Sequence, residues 1–141
     1  MEKQQIKDML MPLVSEIEDK NPAGIEEVAL FEQKRKLPDD YKAFLQIANG
    51  GIGFIGESYV NFWKIEDLLA NNKDYGVDEY VPDFLLIGTD GGGMAYGFDL
   101  REESYSIICV ELVVLSYENA FHVADSFLEL LRKLKNNVDL F

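Results

Sequence analysis

Between Phe84 and Val110 lie three apolar runs: Phe84-Leu85-Leu86-Ile87, Met94-Ala95-Tyr96-Gly97-Phe98 and Tyr105-Ser106-Ile107-Ile108-Cys109-Val110. Only short glycine- and acid-rich breaks part them. Runs of this length, rich in β-branched and aromatic residues and bounded by turn signals, read as strands. A parallel pair needs a crossover of a dozen or more residues, so these strands must pair mostly antiparallel. Leu112 to Leu115 either continues the last strand or forms another.

Helical spacing dominates what surrounds them. Ile6, Met9, Leu10, Leu13, Val14 and Ile17 recur every three or four residues, and Pro12 predicts a kink or a helix start within that stretch. After Asn21-Pro22-Ala23-Gly24 a second amphipathic segment places Ile25, Val28, Ala29 and Glu32 on one face. The third begins at Leu37-Pro38-Asp39-Asp40, where Pro38 suits a first helical turn and the acids suit its positive end. Tyr41, Phe44, Leu45 and Ala48 form its apolar stripe, and Asn49-Gly50-Gly51 supplies a left-handed stop. Tyr59 to Trp63 reads as a strand, a short helix follows around Ile65, Leu68 and Leu69, and Asn71 to Asp83 reads as a loop. A final helix carries Ala124, Phe127, Leu128, Leu131 and Leu134 on one face. Helices, consecutive strands, then a helix is the order of an α+β domain with N-terminal helices, a central mainly antiparallel sheet and a C-terminal helix. A length of 141 residues suits one domain, 1–141.

Charge narrows the partners. Against 13 Lys and Arg stand 26 Asp and Glu, a formal net charge of −13. Phosphate contacts need a basic face and anionic lipid recruits basic clusters, so neither nucleic acid nor membrane is an expected partner. A basic protein is. The single cysteine, Cys109, closes no disulfide within the chain, and Met1 to Gln5 leads into amphipathic sequence rather than a leader, so the expected compartment is the cytoplasm.

The catalytic inventory is poor. Gly51-Ile52-Gly53-Phe54-Ile55-Gly56 matches G-x-G-x-x-G, yet a dinucleotide site needs that motif between a strand and a following helix. Here it follows a helix and precedes a strand, so a helix cap plus turns is expected. Gly91-Gly92-Gly93 lacks the Lys-Ser or Lys-Thr of a phosphate loop and reads as a strand-to-strand turn whose backbone Asp90 bonds. His122, the one histidine, lies in an apolar neighbourhood, and Cys109 sits inside a strand as a small inert hydrophobe. No catalytic set, cofactor site or metal site is expected.

Aromatic residues interleaved with acids say more. Tyr59, Phe62, Trp63, Tyr75, Tyr80, Tyr96 and Tyr105 share the strand half with a dense group of carboxylates. Aromatic anchors amid complementary charge suit a protein-binding face, although core packing also uses such residues. Acids in loops are free of packing duties, so the expected partner-binding residues are Asp74, Asp78, Glu79 and Asp83, supplemented by Glu102 and Glu103.

Leu37 to Leu45 followed by Asn49-Gly50-Gly51, with Glu32 on the preceding helix, resembles the signature of the SUKH superfamily, the Smi/Knr-type domain. Ile87 to Asp99 resembles its second block and Ala124 to Leu131 its terminal helix, so the resemblance runs from Gly24 to Leu134 and leaves the segment before Pro22 outside. It implies an α+β domain and no catalytic triad or cofactor. Many bacterial members are immunity proteins that neutralise toxins, often nucleases, while eukaryotic relatives regulate cell-wall synthesis through protein partners. The expectation is therefore a non-catalytic immunity protein occluding a basic, nuclease-type toxin domain. A regulator or scaffold with another partner is the alternative, and a carboxylate hydrolase the remote one.

Overall fold

The computed structural model describes residues 2–140. In chain order the elements are α1 (Lys3–Leu10), α2 (Ile25–Glu32), α3 (Asp39–Ile47), β1 (Gly51–Ile55), β2 (Ser58–Phe62), α4 (Ile65–Asp74) and α5 (Val77–Tyr80). After these come β3 (Phe84–Thr89), β4 (Met94–Asp99), β5 (Ile107–Glu111), β6 (Phe121–Ala124) and α6 (Phe127–Lys135). The strands form one six-stranded sheet in the order β1 to β6, and every neighbouring pair is antiparallel. The architecture is α+β, with helices at both ends of the chain.

Both faces of the sheet's centre are covered, so β3 is buried from end to end, as expected of a short continuous apolar run. Leu85, Ile87, Tyr96, Phe98 and Cys109 face a core shared with α1, α3 and α6. On the opposite face Phe84, Leu86, Ala95, Ile108 and Val110 pack with Val77 of α5 and with Val81, which directly follows it. Between β3 and β4, Asp90 Oδ1 accepts from the N–H groups of Gly92, Gly93 and Met94 at 2.8–3.1 Å, making the expected turn.

Several local expectations change. Gly51 to Ile55 is a strand rather than a cap and turns. Glu18 N–H donates to the Ile52 carbonyl at 2.7 Å and Ile52 N–H donates back at 2.9 Å, so the segment before Pro22 edges β1. A Cβ on Gly51 would stand 2.9 Å from the Glu18 carbonyl oxygen, and this close approach selects the glycine that masks the strand in sequence. Pro12 ends α1 in a 3-10 turn, Met11–Leu13, and Pro38 caps α3 instead of entering its first turn. On α2, Val28 and Phe31 are buried while Ile25 and Ala29 are exposed, so the buried stripe is rotated from the one expected. Leu112 to Leu115 leaves the sheet after Glu111, and the next strand is β6, where Ala124 belongs; α6 begins after Ser126, whose Oγ accepts from Glu129 N–H at 3.1 Å.

The stretch from Asn71 to Asp83 is not a loop: α4 runs through Asp74, and α5 follows a left-handed Gly76. Tertiary structure overrides the poor helix propensity of its asparagines. β2 and β3 share the register pairs Asn61–Thr89 and Phe62–Gly88, so β2 ends before it reaches Leu86. The Asn72 side chain takes its place. Its Oδ1 accepts from Leu86 N–H at 2.9 Å, and its Nδ2 donates to the carbonyls of Leu86 (2.9 Å) and Leu68 (2.7 Å).

Asn72→Ala orphans both backbone groups of Leu86, each costing about 1–3 kcal/mol; the expected loss in urea unfolding is about 3 kcal/mol. Tyr41 presents the opposite case. Its hydroxyl is buried among Phe44, Phe98 and Phe127 without a hydrogen-bond partner among the described residues. Tyr41→Phe removes an unpaired polar group and is expected to raise stability by up to about 1 kcal/mol in the same assay.

Candidate partner-binding surface

All six sequence-selected carboxylates are exposed, and none makes an ion pair or side-chain hydrogen bond among the described residues. Their placement is uneven. Asp78 and Glu79 occupy the first turn of α5, with Asp74 one short turn earlier at the end of α4. Asp83 lies where α5 hands over to β3, and its carbonyl accepts from Leu100 N–H at 2.8 Å. That bond brings Asp83 to the β4–β5 turn carrying Glu102 and Glu103. The surface is not purely acidic: Asp78 shares a groove with Lys34, Arg35 and Lys73, and Glu103 shares another with Lys36. These cations come from the α2–α3 connection and α4, a proximity that linear spacing does not display.

A polar brace holds this end of the sheet. Arg101 donates from Nε and Nη2 to the two Asp99 carboxylate oxygens, both at 2.9 Å, and its guanidinium lies 3.7 Å over the Tyr117 ring. The Tyr117 hydroxyl donates to the Pro82 carbonyl. Hydrogen bonding from Arg101, which outweighs partial burial, holds the Asp99 carboxyl below its ordinary range. Asp99, Arg101 and Tyr117 thus fix the turns that present Asp83, Glu102 and Glu103. Sequence reasoning missed this role, and the only available signal was an acid and an arginine two residues apart where a strand ends.

The aromatics divide in two. Phe62 and Tyr96 are core residues, whereas Tyr59, Tyr75 and Tyr80 are exposed and Trp63 and Tyr105 half-buried. Trp63 stacks on Tyr75 with centroids 5.8 Å apart.

Cys109 and His122 stand on opposite faces of the sheet. Cys109 faces the helices, while His122 pairs in register with Ile108, whose side chain points the other way. His122 is half exposed instead of lying in an apolar environment, and its Nε2 is 2.8 Å from Asp125 Oδ1. Strand alternation therefore forbids a cysteine–histidine pair here. Among the described residues no group of three or more His, Cys, Asp or Glu side chains is placed to hold a metal ion, and no helix is long and apolar enough to cross a membrane.

Comparison with protein-family models matches residues 22–133 to the SMI1 / KNR4 family (SUKH-1). The chain belongs to that family. The family-like blocks occupy structural positions: Leu37 to Gly51 forms α3 and its stop, Ile87 to Asp99 the β3–β4 hairpin, and Ala124 to Leu131 the passage from β6 into α6. None of the six exposed acids lies in these blocks. A search of curated proteins returned no match.

Burial pushes the Cys109 thiol up to about 12, chiefly by desolvation of the thiolate. In the native protein at pH 8 a disulfide-exchange reagent is expected to label Cys109 only at the rate of unfolding. Because the folded value exceeds the ordinary one of 9.0, Cys109 supports folding fully below pH 9.0 and loses that contribution as pH rises toward 12. Buried Tyr41 and Tyr96, both also shifted upward by desolvation, act in the same direction. Urea midpoints measured upward from pH 8 should fall, and Cys109→Ala should reduce the slope.

Proposed function

We propose that this SUKH-1 protein is a non-catalytic protein-binding module, an immunity protein that neutralises a basic, nuclease-type toxin domain by occluding it in the cytoplasm. The observation that carries the reading is the set of six exposed carboxylates without an ion pair or side-chain hydrogen bond among the described residues, mounted on α4, α5 and two braced turns. Nuclease clefts are basic because they bind phosphate, and a chain of net charge −13 is steered toward such a cleft before contact. Carboxylates can occupy phosphate positions there while the aromatics supply desolvated area. Family membership supports the same reading, and opposed faces for Cys109 and His122 remove the one nucleophilic pair that the composition allowed.

The partner, captured from the native cell and identified, should be a basic toxin domain whose activity the protein abolishes. Replacing Asp78 and Glu79 together by Lys should slow association and flatten its salt dependence, measured by stopped flow across a salt series. Thermal stability should change by no more than about 0.5 kcal/mol, since both side chains are exposed. Unaltered association rates would remove α5 from the interface, and a partner without a basic surface would remove the toxin reading.

A further inference from the structure

An exposed aromatic surface lies on β1 and β2, outside the acidic segments apart from Tyr75, which follows Asp74. Along β2, alternation sends Val60 and Phe62 into the helix-covered core and turns Tyr59 and Asn61 to the opposite face, while Trp63, just past the end of the strand, is half-buried and packs against both hydrophobic clusters. Register sets Phe54 beside Tyr59 and Ile52 beside Asn61. The Phe54 and Tyr59 rings meet edge to face with centroids 5.6 Å apart, and Trp63 lies parallel to Tyr75, their planes 10° apart. Over β3 to β5 this same face is covered by α5 and by Leu112, Leu115 and Tyr117. Over β1 and β2 it is bare: Phe54 is 52 % exposed, Tyr59 39 % and Tyr75 43 %. Exposed apolar patches mark interaction sites on soluble proteins.

Charge says what covers them. Ring faces are electron-rich and attract cations, and guanidinium groups, planar and weakly hydrated, stack on them better than ammonium groups do. Asp74 directly precedes Tyr75. The Tyr59 ring rests on the Asp90–Gly93 turn, so closely that a Cβ on Gly91 would lie 2.5 Å from it. A second copy of the chain would set −13 against −13 across the same rings. Building on the basic-partner reading, we propose that the bare β1–β2 face docks arginine side chains of a basic partner protein. Phe54, Tyr59, Trp63 and Tyr75 are the stacking rings, and Asp74 supplies the neighbouring carboxylate. At roughly 150–250 Å² per aromatic side chain, four partly exposed rings supply the desolvated centre of a patch of about 800 Å², with carboxylates at its rim.

Trp63 is the single tryptophan, so its fluorescence reports directly on this face. The probes are nona-arginine and nona-lysine peptides at fixed ionic strength, which separate ring stacking from charge alone. Nona-arginine is expected to change Trp63 emission saturably and to bind about fivefold more tightly than nona-lysine. The double variant Phe54→Thr, Tyr59→Thr keeps strand propensity but loses one cross-strand ring pair, should lower the thermal midpoint by only a few degrees while staying folded, and should weaken arginine binding about tenfold while lysine binding holds. The Asp78→Lys, Glu79→Lys variant should keep the preference for arginine. Equal affinity for the two peptides, silent Trp63 emission, or a stable dimer in light scattering would overturn the proposal. Native-partner binding unaffected by the Phe54 and Tyr59 substitutions would overturn the docking face and leave the basic-partner reading standing. A native partner without a basic surface would overturn both.

Discussion

The divergence of β2 from β3 is the constraint on which the rest of the molecule turns. Two register pairs join these strands, and beyond them the Leu86 backbone would face the interior unpaired. The Asn72 side chain answers both groups, so α4 must run far enough to deliver it. That anchors the α4–α5 corner and lays Val77 and Val81 over β3 to β5. The same geometry leaves no helix for the outer face of β1 and β2. One missing stretch of strand pairing therefore explains both the second small core and the exposed aromatic surface.

Electrostatics is arranged around this frame rather than spread evenly. Carboxylates inside the frame are paired: Asp99 is held by Arg101, and Glu66 accepts from the buried Asn49 amide, a bond that draws its carboxyl below the ordinary range. The six selected acids sit at the end of α4, on α5 and on the turns braced by Tyr117 and Arg101. Carboxylates left solvated are free to meet an opposite charge, where exposed pairs act mainly on encounter rates. The nearby Lys34, Arg35 and Lys73 limit how far the acidic surface extends toward α2.

Much of this was legible in the chain, and the exceptions share a cause. Strands β3, β4 and β5 carry continuous apolar runs because both their faces are covered, and α3 and α6 carry full amphipathic stripes. β1 was obscured because its glycines serve a neighbouring backbone, and α5 because four residues show no periodicity. For the site, the acids from Asp74 to Asp83 read in sequence as one loop, where the structure has the end of α4, then α5 and a turn. Which aromatics are core and which are surface depends on what lies over each face, and β6 was concealed by a histidine that points outward from a short edge strand.

By itself the sequence determined the α+β class, the antiparallel order of the central strands, the Asp90 turn and the acidic character. Each follows from local chemistry: side-chain periodicity, connections too short for crossovers, turn stereochemistry and net charge. Tertiary structure alone decided that Cys109 and His122 face apart, that Asn72 substitutes for a strand, and that Phe54 meets Tyr59 while Trp63 stacks on Tyr75. These relations exist only once pairing register and layer coverage have been set.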